Sequence, residues 1–379
     1  MIEAQDFIQA AKVRDFGLYT GVPCSFLEPF INYVINSREL RYIGATNEGD
    51  AIAIASGAEL GGVRSVAMFQ NSGLGNAVNP LTSLNQTFKI PILIIVTLRG
   101  NPQEGADEPQ HHLMGTITQP LLELMQIPWE YFPTQAEEIE TVLDRAIQYM
   151  EEHQRPYALV MKKGSVSKND LPKEVSCKPQ PASTDITISK QIAEYTRNKI
   201  LQAVQAASCF TDIILATTGY CGRELYALAD QDNQFYMVGS MGCVSSLGLG
   251  LALAQPQRRV IVIDGDGAAL MRLGAMSTIG YERPANLCHI LLDNQCHEST
   301  GGQATVSHSI NFSSIAASCG YENVLSTNTS ETVKDWIQNH KQGLSFLHVK
   351  IKPGTPQGLP RPDITPPQVA QRLRQFINK

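Results

Sequence analysis

The stretch VIDGDGAAL, residues 262–270, carries an apolar run into Gly265-Asp266-Gly267. A glycine-rich turn after a strand usually cradles a phosphate on backbone N–H groups. An aspartate in that turn would repel one, unless a divalent cation lies between them. A hard cation such as Mg²⁺ takes oxygen ligands and bridges carboxylate to phosphate. A second oxygen ligand is then needed at a neighbouring strand end. The next apolar run, HILL (289–292), closes in Asp293-Asn294-Gln295. The residues between, Met271–Tyr281, fit one helix, which makes a strand–helix–strand unit and predicts Asp266 and Asn294 on the same sheet edge. The competing reading is an ordinary turn with Asp266 as a helix cap.

The elements that must hold these residues read as two similar halves. In the first, FIQAAKVRDF (7–16) has a helical period, and RSVAMFQ (64–70), IPILIIVTL (90–98) and YALVMKKG (157–164) read as buried parallel strands. In the second, KQIAEYTRNKILQAVQ (190–205) predicts a helix, and DIILATTGY (212–220), RRVIVIDGDG (258–267) and NLCHILLDN (286–294) predict strands that break into polar or glycine-rich turns. Between them, residues 171–189 are polar and proline-bearing, as a linker would be. The expected fold is therefore α/β, two doubly wound parallel-sheet domains over 1–170 and 190–379, with ligands beyond the carboxyl ends of the strands.

Composition narrows the class. The 379 residues are 43% hydrophobic and 17% charged, as in a packed globular protein. A formal net charge of −6 argues against nonspecific nucleic-acid binding. No apolar run reaches the roughly 18–20 residues that span a bilayer, and the start lacks the pattern of a secretory signal. The eight cysteines form no CxxC pair and read as reduced thiols, so the expected location is the cytoplasm. No GxGxxG followed by an acid about 20 residues on supports a nicotinamide enzyme.

Gly265-Asp266-Gly267, then residues 268–292, then Asp293-Asn294 resembles the signature of thiamine diphosphate enzymes. The resemblance implies that Asp266, the Asn294 side chain and the Cys296 carbonyl hold Mg²⁺, which holds the cofactor's diphosphate beside Gly265, Gly267 and Ala268. It also implies matching parts elsewhere. In RYIGATNEGDAIAIASGAEL (41–60), Glu48 opens an alanine-rich helix, as does the glutamate that drives the cofactor's pyrimidine to its imino tautomer. In YMVGSMGCVSSLGLGLALA (236–254), Met241 matches the residue that wedges the cofactor into its bent shape, and the Gly239 carbonyl matches the acceptor for its amino group. Thr217, Thr218 and Gly219 of ATTGY resemble the first diphosphate loop. By this resemblance residues 1–170 bind the pyrimidine and 190–379 the diphosphate.

With only a short linker, the chain resembles the two-domain group of phosphonopyruvate and sulfopyruvate decarboxylases. That implies decarboxylation of 3-phosphonopyruvate to phosphonoacetaldehyde and CO₂ in phosphonate biosynthesis, of the kind that leads to 2-aminoethylphosphonate. Sulfopyruvate decarboxylation, or another thiamine diphosphate decarboxylation or carboligation, is the alternative. In this family the glutamate and the diphosphate site meet across a subunit interface, so a homodimer or larger homo-oligomer is the expected active form. Three loops of the first half follow likely strands and face substrate by this reading. GVPCSF (21–26) offers Ser25, FQNSGLG (69–75) offers Asn71, and TLRGNPQEGADEPQHHLMG (97–115) offers Arg99, His111 and His112. The His-His pair resembles one that handles protons in pyruvate decarboxylases. Past the metal ligands, Glu298 is expected near the reacting groups, and Ser299–Gln303 as a mobile loop closing over them.

Overall fold

A computed structural model of the chain describes residues 1–105, 107–171 and 192–379. The chain divides into two compact units, Met1–Cys177 and Lys178–Lys379. The expected linker, beyond Leu171, lies outside the described residues.

The first unit is built on six parallel strands: β1 (Phe16–Gly21), β2 (Arg41–Gly44), β3 (Arg64–Gln70), β4 (Leu93–Thr97), β5 (Trp129–Tyr131) and β6 (Tyr157–Met161). They lie in the order β2-β1-β3-β4-β6-β5. The register runs Tyr19 beside Val66, Val66 beside Leu93, and Leu93 beside Tyr157. Every residue of β4 and β6 is buried, because helices cover both faces. Phe7, Phe30 and Phe132 pack on one face with ring centroids 4.7–5.5 Å apart. The helix Glu48–Leu60 lies against the other and is buried all round, and its alanines and glycines let its backbone sit close to the sheet.

The second unit has β7 (Ile213–Ala216), β8 (Gln234–Tyr236), β9 (Val260–Gly265), β10 (Leu287–Asp293), a small hairpin of β11 (Cys296–His297) and β12 (Gln303–Ala304), β13 (Asn323–Thr327) and β14 (Ser345–Lys350). Its main sheet runs β13-β14-β10-β9-β7-β8. Counted from its own first strand, this is the winding of the first unit. Each unit thus has a switch point between its first and third strands, where doubly wound sheets open a crevice. The two doubly wound α/β units match the sequence expectation.

Four expected boundaries change. The first helix is Ala4–Lys12, not 7–16, because Asp15 turns the chain at φ 69° and Phe16 already pairs in the sheet. The helix expected at 190–205 runs Arg197–Ala207. Thr196 bridges Lys352, and Tyr195 accepts its N–H, which keeps that stretch extended. The single helix expected over 271–281 is two, Asp266–Met271 and Ala275–Glu282. Arg272 leaves helical geometry at φ −135°, ψ 48°, and Gly274 starts the second helix. Ser299–Gln303, expected as a loop, forms the turn of the β11–β12 hairpin and part of β12, with Cys296 paired to Ala304 and His297 to Gln303.

At the amino ends of β7 and β9 the sheet is pinned by charge. Arg259 grips Asp212 with Nε to Oδ1 at 3.2 Å and Nη2 to Oδ2 at 2.5 Å, and both residues are buried. Asp212→Ala strands the Arg259 charge inside the unit. It is expected to cost about 3–5 kcal/mol in urea unfolding. A loss below about 1 kcal/mol would make the pair incidental to the fold.

Candidate active site

In the second unit, the segments leaving β7, β9 and β10 enclose a cavity of about 150 Å³. Thr217, Thr218 and Gly219 come from the first, Gly265, Asp266, Gly267 and Ala268 from the second, and Asn294, Cys296 and Glu298 from the third. Met241 lines it too, while Gly239, two residues earlier on the same loop, is half-buried and outside the wall. The Thr217 hydroxyl is buried and has no hydrogen-bond partner among the described residues, which leaves a donor open at the wall. A Cβ at Gly267 would lie 2.5 Å from His297 Cε1, so a side chain there would have to push the His297 ring aside.

Two neighbouring carboxylates are treated in opposite ways. Asp266 is 3% exposed and Asp293 is 1% exposed. Thr305 Oγ1 donates to Asp266 Oδ2 at 2.5 Å and contacts Ser307 Oγ at 2.9 Å, and Ser307 Oγ donates to Asp293 Oδ1 at 3.0 Å. Asp293 has its own partners, with His348 Nε2 at 2.9 Å and the Lys350 ammonium Nζ at 2.5 Å. Burial pushes the Asp293 carboxyl up, but these partners outweigh it and hold it at about 2. Burial also raises the Asp266 carboxyl. The Thr305 bond opposes that rise, the Asp293 charge adds to it, and the net shift is upward. Asp266 is therefore a buried carboxylate beside the cavity that hydroxyl and backbone donors orient, with no lysine or arginine paired to it among the described residues, and Asp264, which also lines the cavity, is buried with an Oδ2 that has no hydrogen-bond partner there.

Four lining residues that sequence reading missed are Arg197, Asp264, His297 and Tyr220. Arg197 is 6% exposed and pairs with Glu224 Oε1 at 2.5 Å and with Glu298. Nothing in the sequence marks it, because it sits 69 positions before Asp266 at the head of a helix. The Glu298 carboxylate was expected near the reacting groups. Both of its oxygens instead have partners: Arg197 and Asn294 Nδ2 on one, Gly354 N and Thr355 Oγ1 on the other.

The first unit gathers its candidates at its own strand ends. Glu48 is the first residue of its helix, with Asn47 capping the Gly49 N–H at 2.8 Å. Asn76 Nδ2 donates to Glu48 Oε2 at 2.8 Å. Gly73 makes room for the carboxylate, as a Cβ there would stand 2.1 Å from Glu48 Oε1. The two histidines diverge. His111 is buried and its Nδ1 has no hydrogen-bond partner, whereas His112 is exposed. Asn71 is wholly buried, and its side chain clamps the Arg99 carbonyl and Thr118, so it offers nothing free to a substrate. Arg99 is held two-pronged by Asp107, at 2.8 and 3.2 Å, over the Phe26 ring. Ser25 is exposed. Beside it, Cys24 Sγ lies 3.4 Å from Gln70 Oε1 and 3.7 Å from Thr97 Oγ1, a convergence of the β1, β3 and β4 ends that no motif signalled.

Residues 4–121 match the thiamine pyrophosphate enzyme N-terminal TPP binding domain, and residues 218–349 the C-terminal TPP binding domain. The chain is 40% identical over its whole length to phosphonopyruvate decarboxylase of Streptomyces viridochromogenes, covering 95% of that protein. The chain belongs to the phosphonopyruvate decarboxylase family of thiamine pyrophosphate enzymes. Sulfopyruvate decarboxylase of Methanosarcina acetivorans is a more distant relative, 31% identical over 98% of this chain and 96% of its own. The fold is also that of a thiamine diphosphate-dependent 4-hydroxybenzoylformate decarboxylase of Rhodococcus jostii RHA1. There the TM-score is 0.70 at 13% identity, over 94% of this chain and 100% of the other.

The second-unit cavity fits the family's cofactor. Its buried Asp266 carboxylate, unpartnered Thr217 hydroxyl and glycine-cleared wall suit a diphosphate that arrives with a cation. Among the described residues no three His, Cys, Asp or Glu side chains could hold a metal by themselves.

The Asp293 cluster gives a pH test. Its carboxyl is lowered in the folded state, so its stabilisation is present above about pH 4 and is lost as pH falls toward about 2. Lys350→Met is expected to cost about 1.5–3 kcal/mol at pH 7 in urea unfolding. The difference from the parent protein should shrink as pH drops through that window. A cost that is flat with pH would mean Lys350 acts by packing alone.

Proposed function

We propose that this chain decarboxylates 3-phosphonopyruvate to phosphonoacetaldehyde and CO₂, with thiamine diphosphate and Mg²⁺, in the cytoplasm and within phosphonate biosynthesis of the 2-aminoethylphosphonate kind. The observation that carries this is the full-length 40% identity to a phosphonopyruvate decarboxylase, joined to the buried Asp266 at the cavity. Asp266, the Asn294 amide and the Cys296 carbonyl would hold the cation. Thr217, Thr218, Gly219 and the 265–268 turn would hold the diphosphate, and Met241 and the Gly239 carbonyl the rest of the cofactor. When bound, thiamine diphosphate supplies a carbon nucleophile for the 2-oxo group and an electron sink for the departing carboxylate.

The chain's own residues place protons and charge. Glu48 exchanges a proton with the pyrimidine ring, and its Asn76 bond and Gly73 clearance fix where its carboxylate sits. His111, with a ring nitrogen still unpartnered, is better suited than exposed His112 to deliver a proton to the product carbon. Arg99 and the polar groups at the β1, β3 and β4 ends would offer the phosphonate its cationic and hydrogen-bonding contacts. A homodimer or larger homo-oligomer, with Glu48 of one copy serving the diphosphate cavity of another, is the form this reading requires.

Purified protein with thiamine diphosphate and Mg²⁺ should be assayed for CO₂ and aldehyde from 3-phosphonopyruvate, sulfopyruvate and pyruvate in parallel. A kcat/KM for phosphonopyruvate at least about 100-fold above the others is expected, nearly 3 kcal/mol of discrimination. Preference for sulfopyruvate would replace the substrate and keep the cofactor.

Glu48→Gln should lower kcat/KM about 10²–10⁴-fold. Mixed after subunit exchange with an equally inactive Asp266→Ala protein, it should regain part of the activity. No regain, with exchange demonstrated, would place both groups of one site on one chain.

A further inference from the structure

Asn294 has two chemically opposite ends, and the structure gives each a partner. Its Oδ1 accepts from Cys296 N at 3.3 Å, and its Nδ2 donates to Glu298 Oε2 at 3.1 Å. An amide turned the other way would set oxygen against the Glu298 carboxylate and N–H against Cys296 N–H. It would also offer a cation the wrong end. Glu298 is itself held firmly. Arg197 pairs with the oxygen that takes Asn294, while Gly354 N at 2.6 Å and Thr355 Oγ1 at 3.1 Å hold the other. Arg197 is buried and is fixed from its far side by Glu224.

We propose that Glu298 is a positioning residue whose carboxylate, braced by Arg197, locks the Asn294 amide so that its oxygen is the atom left for the cation. This rests on the reading of Asp266 and Asn294 as the cation seat. It replaces the expected contact of Glu298 with reacting groups, since four donors within the chain already occupy that carboxylate. The Arg197–Glu224 pair, which the proposed chemistry does not otherwise use, becomes the outer support of the same lock.

The experiment is calorimetric titration of Mg²⁺ into ligand-free protein with thiamine diphosphate in excess. It reads metal affinity without turnover. Glu298→Gln puts beside Asn294 an amide that can present either end, and it should weaken the apparent Mg²⁺ affinity about tenfold. Asn294→Asp removes the question of orientation, because a carboxylate has no wrong end. In the Asn294→Asp background, Glu298→Gln should therefore cause no loss, or a gain from removing a neighbouring negative charge.

Equal losses in both backgrounds would show a merely structural residue and overturn the proposal, as would no loss in the native background. Absence of Mg²⁺-dependent binding by the unaltered protein would fail the cation seat itself, and the lock with it. Urea midpoints without ligand check folding. Should Glu298→Gln fold poorly, Arg197→Lys loosens the brace while keeping its charge. It should weaken Mg²⁺ binding in the native background and not in Asn294→Asp.

Discussion

Asp266 is buried at the head of a helix, and burial raises the free energy of its charge. A carboxylate in that position needs either a proton or a cation. The surroundings withhold an internal cation. His348 and Lys350 are spent on Asp293, and Arg197 on Glu224 and Glu298. Only hydroxyl and backbone donors reach Asp266, and these orient a carboxylate without cancelling its charge. Under the proposed reading, an external cation would take the place of that proton. Asp264, Asp266 and Glu298 line the cavity, with Arg197 paired to Glu298, so under the proposed reading a cation on Asp266 would ease the approach of a diphosphate.

The sheet supplies the geometry for this. β9 and β10 are adjacent and parallel, with Leu292 beside Gly265, so their carboxyl ends deliver Asp266 and Asn294 to one edge. β7, on the other side of β9, delivers Thr217 to the same crevice. The first unit repeats the winding with different cargo. Its strand ends present Cys24, Gln70, Thr97 and Arg99, and its second strand leads into Glu48. One topology thus serves two tasks because the loops after the strands, not the strands, carry the chemistry.

Both sheets and the cavity wall were legible in the sequence for the same reason. Buried parallel strands read as continuous apolar runs, and the turns after them hold glycine and small polar residues at short range. Many of the lining residues next to those turns, such as Thr217, Asp266 and Asn294, were picked out, though Tyr220 and Asp264 beside them were not. What stayed hidden depends on long-range contacts. Arg197 carries no local signal, and its burial comes from Glu224 and Glu298, 27 and 101 positions away. The Thr305–Ser307 bridge is likewise invisible until the chain folds back on Asp266. Helix ends at Lys12, Arg197 and Met271 were misplaced where strand pairing or a backbone turn overrode an amphipathic period. Asn71 and Glu298 were assigned to substrate by their places after a strand and past the metal ligands, and the hydrogen bonds they make within the protein were not legible there.

Phosphonate and sulfonate substrates differ in charge, and the first unit's cationic supply bears on that difference. Arg99 is the arginine at the β4 end, and Asp107 takes it two-pronged, with the pair holding the Asp107 carboxyl well below the usual carboxylate range. A guanidinium so matched gives an incoming anion directed N–H donors but little net charge. A sulfonate brings one negative charge. A phosphonate brings up to two, its second ionisation lying near neutral pH as for other phosphorus oxyanions, about 6. Holding the dianion therefore requires charge beyond Arg99, and His111 is the buried group with a nitrogen still unpartnered. Under the proposed reading, charge rather than pocket size separates the two head groups, which are nearly isosteric.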